Sequence, residues 1–250
     1  MRASSRTFPG RAARIGAHLA SLACLAAAAP LSAQAIGIAP VGISLAPGET
    51  TTVVRITNRD TAPAAVQVRP YAWDQGDGSD RLSATSLLLV SPPITTIAPG
   101  QTQIVRLLLK SPAADKETSY RILFDQIPTA ATPGGVRIAL RISIPVFALP
   151  AQTVRSKLTW QATATAPGEA ELVVSNAGNR HARLSALRIT AGKGAISLEE
   201  APNFYVLPGA VRHLHLKAIG DALKPGGTLR VSASSDEGDI VATALLQARS

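Results

Sequence analysis

The chain has 250 residues, 25 Lys and Arg against 16 Asp and Glu for a formal net charge of +9, one cysteine, 18 prolines and 4% aromatic residues. One cysteine excludes an intrachain disulfide, and aromatics this sparse and remote from the basic residues exclude the stacking platforms of single-strand nucleic-acid binding.

Arg2, Arg6, Arg11 and Arg14 precede an Ala/Leu-rich run over about 15–29, and Ala33-Gln34-Ala35 has the small-x-small pattern of a cleavage site, so 1–35 is predicted to be a signal peptide. The run is too short and alanine-rich for a membrane span, and nothing downstream approaches about 20 uninterrupted apolar residues. Removing the leader's four arginines leaves 21 basic against 16 acidic residues, a net charge of +5. Cys24 goes with the leader; Ser21-Leu22-Ala23-Cys24 only faintly resembles a lipoprotein box. The expected mature protein begins at Ile36, is exported and soluble without membrane insertion, and folds on core burial alone.

From Ile36 onward the length fits one large all-β domain or two sandwiches of about 100 residues each. Two are favoured by internal pattern. Leu45-Ala-Pro-Gly48, Ile97-Ala-Pro-Gly100 and Val206-Leu-Pro-Gly209 each precede an alternating run, as expected where proline presets one turn position and glycine supplies the next. Val53 to Asn58 followed by Ala65 to Pro70 corresponds to Leu172 to Asn176 followed by Ala182 to Ile189: in each half a strand, a corner opening on asparagine, and a partner strand.

In chain order, Tyr71 and Trp73 are assigned to sandwich core, although they share the face opposite Val66 if the strand carries no bulge. Asp74 to Asp80 has the look of a calcium loop but reads as a hairpin, because the twelfth position holds Thr85 where a bidentate acid is expected. Arg106, alternating with Ile104 and Leu108, is assigned to a domain face or an inter-domain pair and not to a ligand contact. Over 135–150, Val136, Ile138, Leu140, Ile142 and Ile144 alternate with Arg137, Ala139, Arg141 and Ser143, a period of two that puts the apolar set on one strand face. Such a row either packs into its own sheet or is lent to another chain. The domain boundary is placed at 150–157, separating 36–150 from 151–250. His213-x-His215 puts two imidazoles on one face, but His181 is the only other mature histidine and no metal site is predicted. Nucleophile-elbow, Walker and zinc-protease patterns are absent, so no enzyme and no cofactor is expected.

Asp115-Lys-Glu-Thr-Ser-Tyr-Arg-Ile-Leu-Phe-Asp-Gln-Ile-Pro128 resembles the signature of the PapD-like periplasmic pilus-assembly chaperones. Ala139 to Pro150 resembles that family's last first-domain strand, ending in Phe-x-x-Pro. Ser91-Pro-Pro93, Ile97-Ala-Pro-Gly-Gln101 and Val105-Arg-Leu107 keep its motif order. The match covers most of 36–150 and only the layout of 151–250.

The resemblance implies an all-β protein of two immunoglobulin-like sandwiches set in an L. It also implies a periplasmic chaperone that completes a pilus subunit's missing strand with its own and delivers the subunit to an outer-membrane usher. Ungapped from Pro150, the donor row is Val136, Ile138 and Leu140, extended by Ile142. A structural pilus or surface subunit is the alternative, disfavoured because a subunit carries a free alternating N-terminal extension and usually one incomplete domain. One departure concerns the subunit's terminal carboxylate, which the family grips with a lysine near the end of the donor strand and an arginine in the first strand. Here those places hold Pro145 and the uncharged segment Ile38 to Ser44. Arg121, one strand over, is the foremost replacement, with Arg141 and Arg137 as the other candidates; an ion pair of Arg121 with Asp125 is a competing reading. The missing basic pair resembles the divergent, non-classical branch.

Overall fold

Proline-broken, alternating sequence yields strands almost throughout, in a computed structural model that describes residues 36–128, 140–152, 154–192, 194–198, 203–218 and 221–249. The predicted signal peptide, and Val136, Arg137 and Ile138, lie outside the described residues. The first sandwich contains β1 (Ile36–Ala39), β2 (Ile43–Leu45), β3 (Thr51–Asn58), β4 (Ala64–Asp74) and β5 (Arg81–Ala84). It continues with β6 (Leu88–Ser91), β7 (Ile94–Ile97), β8 (Thr102–Leu109), β9 (Thr118–Ile127) and β10 (Arg141–Ala148). One sheet runs β1-β3-β8-β6, the other β2-β10-β9-β4-β5, with β7 also on β4. Val54, Ile56, Val105 and Leu107 of the first sheet meet Val66, Val68, Ile122, Phe124, Ile144 and Val146 of the second, all buried. Each such burial contributes roughly 1.5–3 kcal/mol.

The second sandwich contains β11 (Leu158–Ala166), β12 (Glu169–Asn176), β13 (Ala182–Ala191), β14 (Gly194–Ala195) and β15 (Ser197–Leu198). β16 (Phe204–Val206), β17 (Val211–Lys217), β18 (Thr228–Ser235) and β19 (Gly238–Gln247) complete it. β12-β17-β15 and β13-β18 are bridged through a short parallel contact of β11 with β19 at Ala162 and Leu246. Leu172, Val174, Leu184, Leu214, Leu229 and Val231 form its own core. The expectation of two immunoglobulin-like sandwiches is met.

The repeated sequence signature has a repeated physical cause. Asn58 is fully buried, and its side-chain amide donates to the carbonyls of Ala62 at 2.8 Å and Ile97 at 2.9 Å, while its Oδ1 accepts from the Asp60 N–H. Asn176 does the same in the second half: its amide donates to Arg180 at 2.7 Å and Val206 at 3.0 Å, and its Oδ1 accepts from Gly178 and Lys157. Each asparagine thus ties its corner to the Pro-Gly turn across the sandwich. In those turns Gly100 and Gly209 take φ of 71° and 76°, the left-handed value required after proline.

Candidate functional site

The second sheet of the first sandwich turns its outer face to the second sandwich, and the last strand of that sheet is only half paired. β10 runs antiparallel to β9 along its whole length, whereas β2 covers its other edge only from Val146 to Ala148. Among the described residues nothing pairs with that edge from Arg141 to Ile144. The Leu140 carbonyl accepts from the Gln126 N–H, so alternation in the antiparallel ladder points the backbone groups of Ile142 and Ile144 at β9. Those of Arg141 and Ser143 face the open edge, and those of Pro145 face the start of β2. Proline is tolerated there because the donor it lacks would not point at β9.

Arg121 stands next to this edge. β9 holds it in direct register with Pro145 on β10 and Tyr71 on β4. Its guanidinium lies 3.8 Å from the ring centre of Trp73 and 5.5 Å from that of Tyr205, which belongs to the second sandwich. Burial among these rings lowers its pKa from the ordinary arginine value, opposed by the charge of Asp80, and arginine remains a cation. No ion pair engages it among the described residues. Asp125, its neighbour on the same face, is held instead by Arg69 at 2.6 Å and by Arg141. Burial pushes the Asp125 carboxyl up, but the hydrogen bonds from Arg141 and Arg69 outweigh it and hold it below its ordinary value. The competing Arg121–Asp125 pair is therefore not formed, and the candidate Arg141 is engaged elsewhere.

Trp73 corrects the assignment to sandwich core. β4 has no bulge, so Ala64, Val66 and Val68 face the core and Trp73 faces away from it. It is buried instead in a cluster with Phe147, Leu207 and Ala210, bordered by Tyr205. Tyr71, on the same outward face, is half-buried. Arg106 is exposed between exposed Ile104 and Leu108. Leu140 and Ile142 are partly buried against the first core, near Ile36, Ile38, Val66 and Phe124.

Polar contacts surround this cluster. Glu117, from the signature motif, is buried and accepts from His181 Nδ1 at 2.8 Å, and the His181 ring stacks on Phe147 at 3.7 Å. The loop after β4 docks on the other sandwich: a Cβ on Gly78 would lie 2.6 Å from the His213 ring. The Gln75 amide donates to Asp80 Oδ1 at 2.7 Å and to the Tyr205 carbonyl at 3.0 Å, and accepts from the Leu207 N–H at 2.9 Å. Asp80 Oδ1 also accepts from the Trp73 indole N–H at 3.1 Å. Sequence reasoning missed Gln75, Asp80, Tyr205 and His181, whose partners lie mostly across the interface; the sole available signal was Glu117 inside the signature.

Residues 35–154 match the family described as pili and flagellar-assembly chaperone, PapD N-terminal domain. The chain is 25% identical to the chaperone protein FimB/FhaD of Bordetella pertussis over 164 residues, 61% of this chain and 66% of the relative, just under two thirds of that protein. It is similar, with a TM-score of 0.66 and 26% identity, to a chain in the complex of the chaperone CsuC with the tip adhesion subunit CsuE, from the archaic chaperone-usher Csu pili of Acinetobacter baumannii. That match covers 86% of this chain and 100% of the other. The YadV chaperone shares the fold at a TM-score of 0.60 and 19% identity, with 84% and 99% covered.

Proposed function

We propose that the chain, whose residues 35–154 match the PapD N-terminal domain of pilus-assembly chaperones, works in the periplasm as a chaperone and not an enzyme, binding pilus subunits by donor-strand complementation and handing them to an outer-membrane usher. The observation that carries this reading is the β10 edge left open, and the Arg121 cation left without an ion pair, among the described residues. The non-classical branch fits the likeness to the archaic Csu chaperone, which is seen with a tip subunit.

A subunit domain short of one strand leaves backbone groups and an apolar groove exposed, each costly in water. The outward backbone groups of Arg141 and Ser143 offer it hydrogen bonds, and the row of Val136, Ile138, Leu140 and Ile142 offers side chains for the groove. Leu140 and Ile142 are partly engaged by the first core, so Val136 and Ile138 carry most of the donated surface. Arg121 grips the subunit's terminal carboxylate through two parallel N–H···O bonds, which sets the register of pairing. No nucleotide or metal enters this scheme: binding and release are an exchange of strands.

The test is co-expression of the chain with a pilus subunit in the periplasm. Wild-type chain should co-purify with soluble subunit, and an intact chain that leaves the subunit to aggregate would overturn the reading.

A further inference from the structure

Gln75 is 3% exposed, yet its three hydrogen-bond partners come from both sandwiches. Its Nε2 faces two acceptors, the Asp80 carboxylate and the Tyr205 carbonyl, and its Oε1 faces one donor, the Leu207 N–H. Reversing the amide would set oxygen against oxygen twice, so only one orientation satisfies the site. From Asp80 the chain of contacts passes to the Trp73 indole N–H at 3.1 Å, and from the indole face to Arg121 at 3.8 Å. The residue whose carbonyl Gln75 holds, Tyr205, packs edge-on against Trp73 at 5.3 Å and flanks the same guanidinium at 5.5 Å.

An arginine side chain samples many rotamers, and a two-pronged contact with a carboxylate needs one of them. We infer that Gln75 is a positioning residue for Arg121: through Asp80 and Trp73 on one side and Tyr205 on the other, it makes the carboxylate grip depend on docking of the second sandwich. The inference rests on Arg121 as the carboxylate anchor proposed above. It gives the buried Gln75 amide a role at the interface, and it gives the second sandwich a part in subunit binding without direct contact with the donated strand.

The experiment uses the full mature chain and a synthetic peptide copying the C-terminal strand of the co-purifying subunit, made as free acid and as amide. For wild type the acid should bind about tenfold or more tightly than the amide, the factor that one charged hydrogen bond supplies. A ratio near one in wild type would overturn the Arg121 reading itself. In Gln75→Met, similar in shape but without polar atoms, the ratio should fall toward one while affinity for the amide stays near wild type. Gln75→Glu, which sets a carboxylate against Asp80, should lose the ratio as well. In a Trp160→Phe background, which leaves Trp73 the sole tryptophan, Gln75→Met should also shift the emission spectrum. An unchanged ratio in both Gln75 variants would overturn the positioning role. Equal weakening of acid and amide in step with a lower melting temperature would do so too, by making Gln75 a structural staple only.

Discussion

Arg121 and Pro145 sit directly opposite each other on β9 and β10. In the family the chain resembles, the position of Pro145 carries a lysine; here the cation stands on the neighbouring strand at the same level. Directly opposed residues are about 5 Å apart at Cβ, within the reach of an arginine side chain. On the proposed reading, Arg121 fixes a subunit's chain end from this neighbouring strand.

If Arg121 is the anchor, Arg121→Ala should weaken subunit capture by about 10- to 100-fold, the equivalent of 1.5–3 kcal/mol for a charged hydrogen bond. Loss of its contact with Trp73, worth about 1 kcal/mol, should lower Tm by no more than about 2–4 °C. Arg121→Lys should restore capture only partly, because lysine lacks the planar fork. Titration of subunit binding checks this; wild-type capture by Arg121→Ala, with loss in Arg141→Ala or Arg137→Ala, would move the anchor to the donor strand.

The proposed donor row should divide into two kinds of position. Ile138→Asp should abolish co-purification of subunit at unchanged Tm, whereas Leu140→Asp should also lower Tm, because Leu140 packs on the first core. Thermal melts beside pull-downs separate the two. A drop in Tm for Ile138→Asp that accounts for its lost binding would make the whole row ordinary core.

Asn58 and Asn176 should matter as much as large core residues. Asn58→Ala strands the carbonyls of Ala62 and Ile97 and the N–H of Asp60, and should cost about 2–4 kcal/mol, since each unmet buried group costs about 1–3 kcal/mol. Urea unfolding at neutral pH measures it; a loss below about 1 kcal/mol would mean that water enters the corner and replaces the amide.

Asp125 has a folded pKa below its unfolded one, so its contribution is complete above about pH 4, the unfolded carboxylate value, and is lost as pH falls through the folded pKa. Asp125→Asn should therefore be less stable than wild type at pH 7, by about 1–2 kcal/mol given two partly hydrated arginine partners. At pH 3, below the unfolded carboxylate value, the gap should be narrower. Urea midpoints at the two pH values test this, and a gap that widens in acid would contradict it.

Mass spectrometry of the exported protein should find an unmodified N-terminus at Ile36. A lipid-modified Cys24 at the N-terminus would make the protein membrane-anchored.

Much of the fold was legible in the chain because its determinants are local. Alternation in Gln103 to Leu109 and Ile142 to Val146 fixes which side chains turn inward, Pro47-Gly48, Pro99-Gly100 and Pro208-Gly209 fix where strands end, and the asparagine corners repeat at matching places in both halves. The face of Trp73 followed from the same parity once β4 proved free of a bulge, a condition that depends on pairing with β5 and β9 and not on the local sequence. Arg121 was nameable as a cation; that it does not pair with Asp125 depended on Asp125 being taken by Arg69, 56 residues away, and by Arg141. The Gln75 contacts with Tyr205 and Leu207 and the Glu117 contact with His181 join residues 64 to 132 positions apart. Period-two patterning tells inside from outside within one sandwich, but the outer face of one sandwich becomes buried only through the docking of the other, and no local pattern records that.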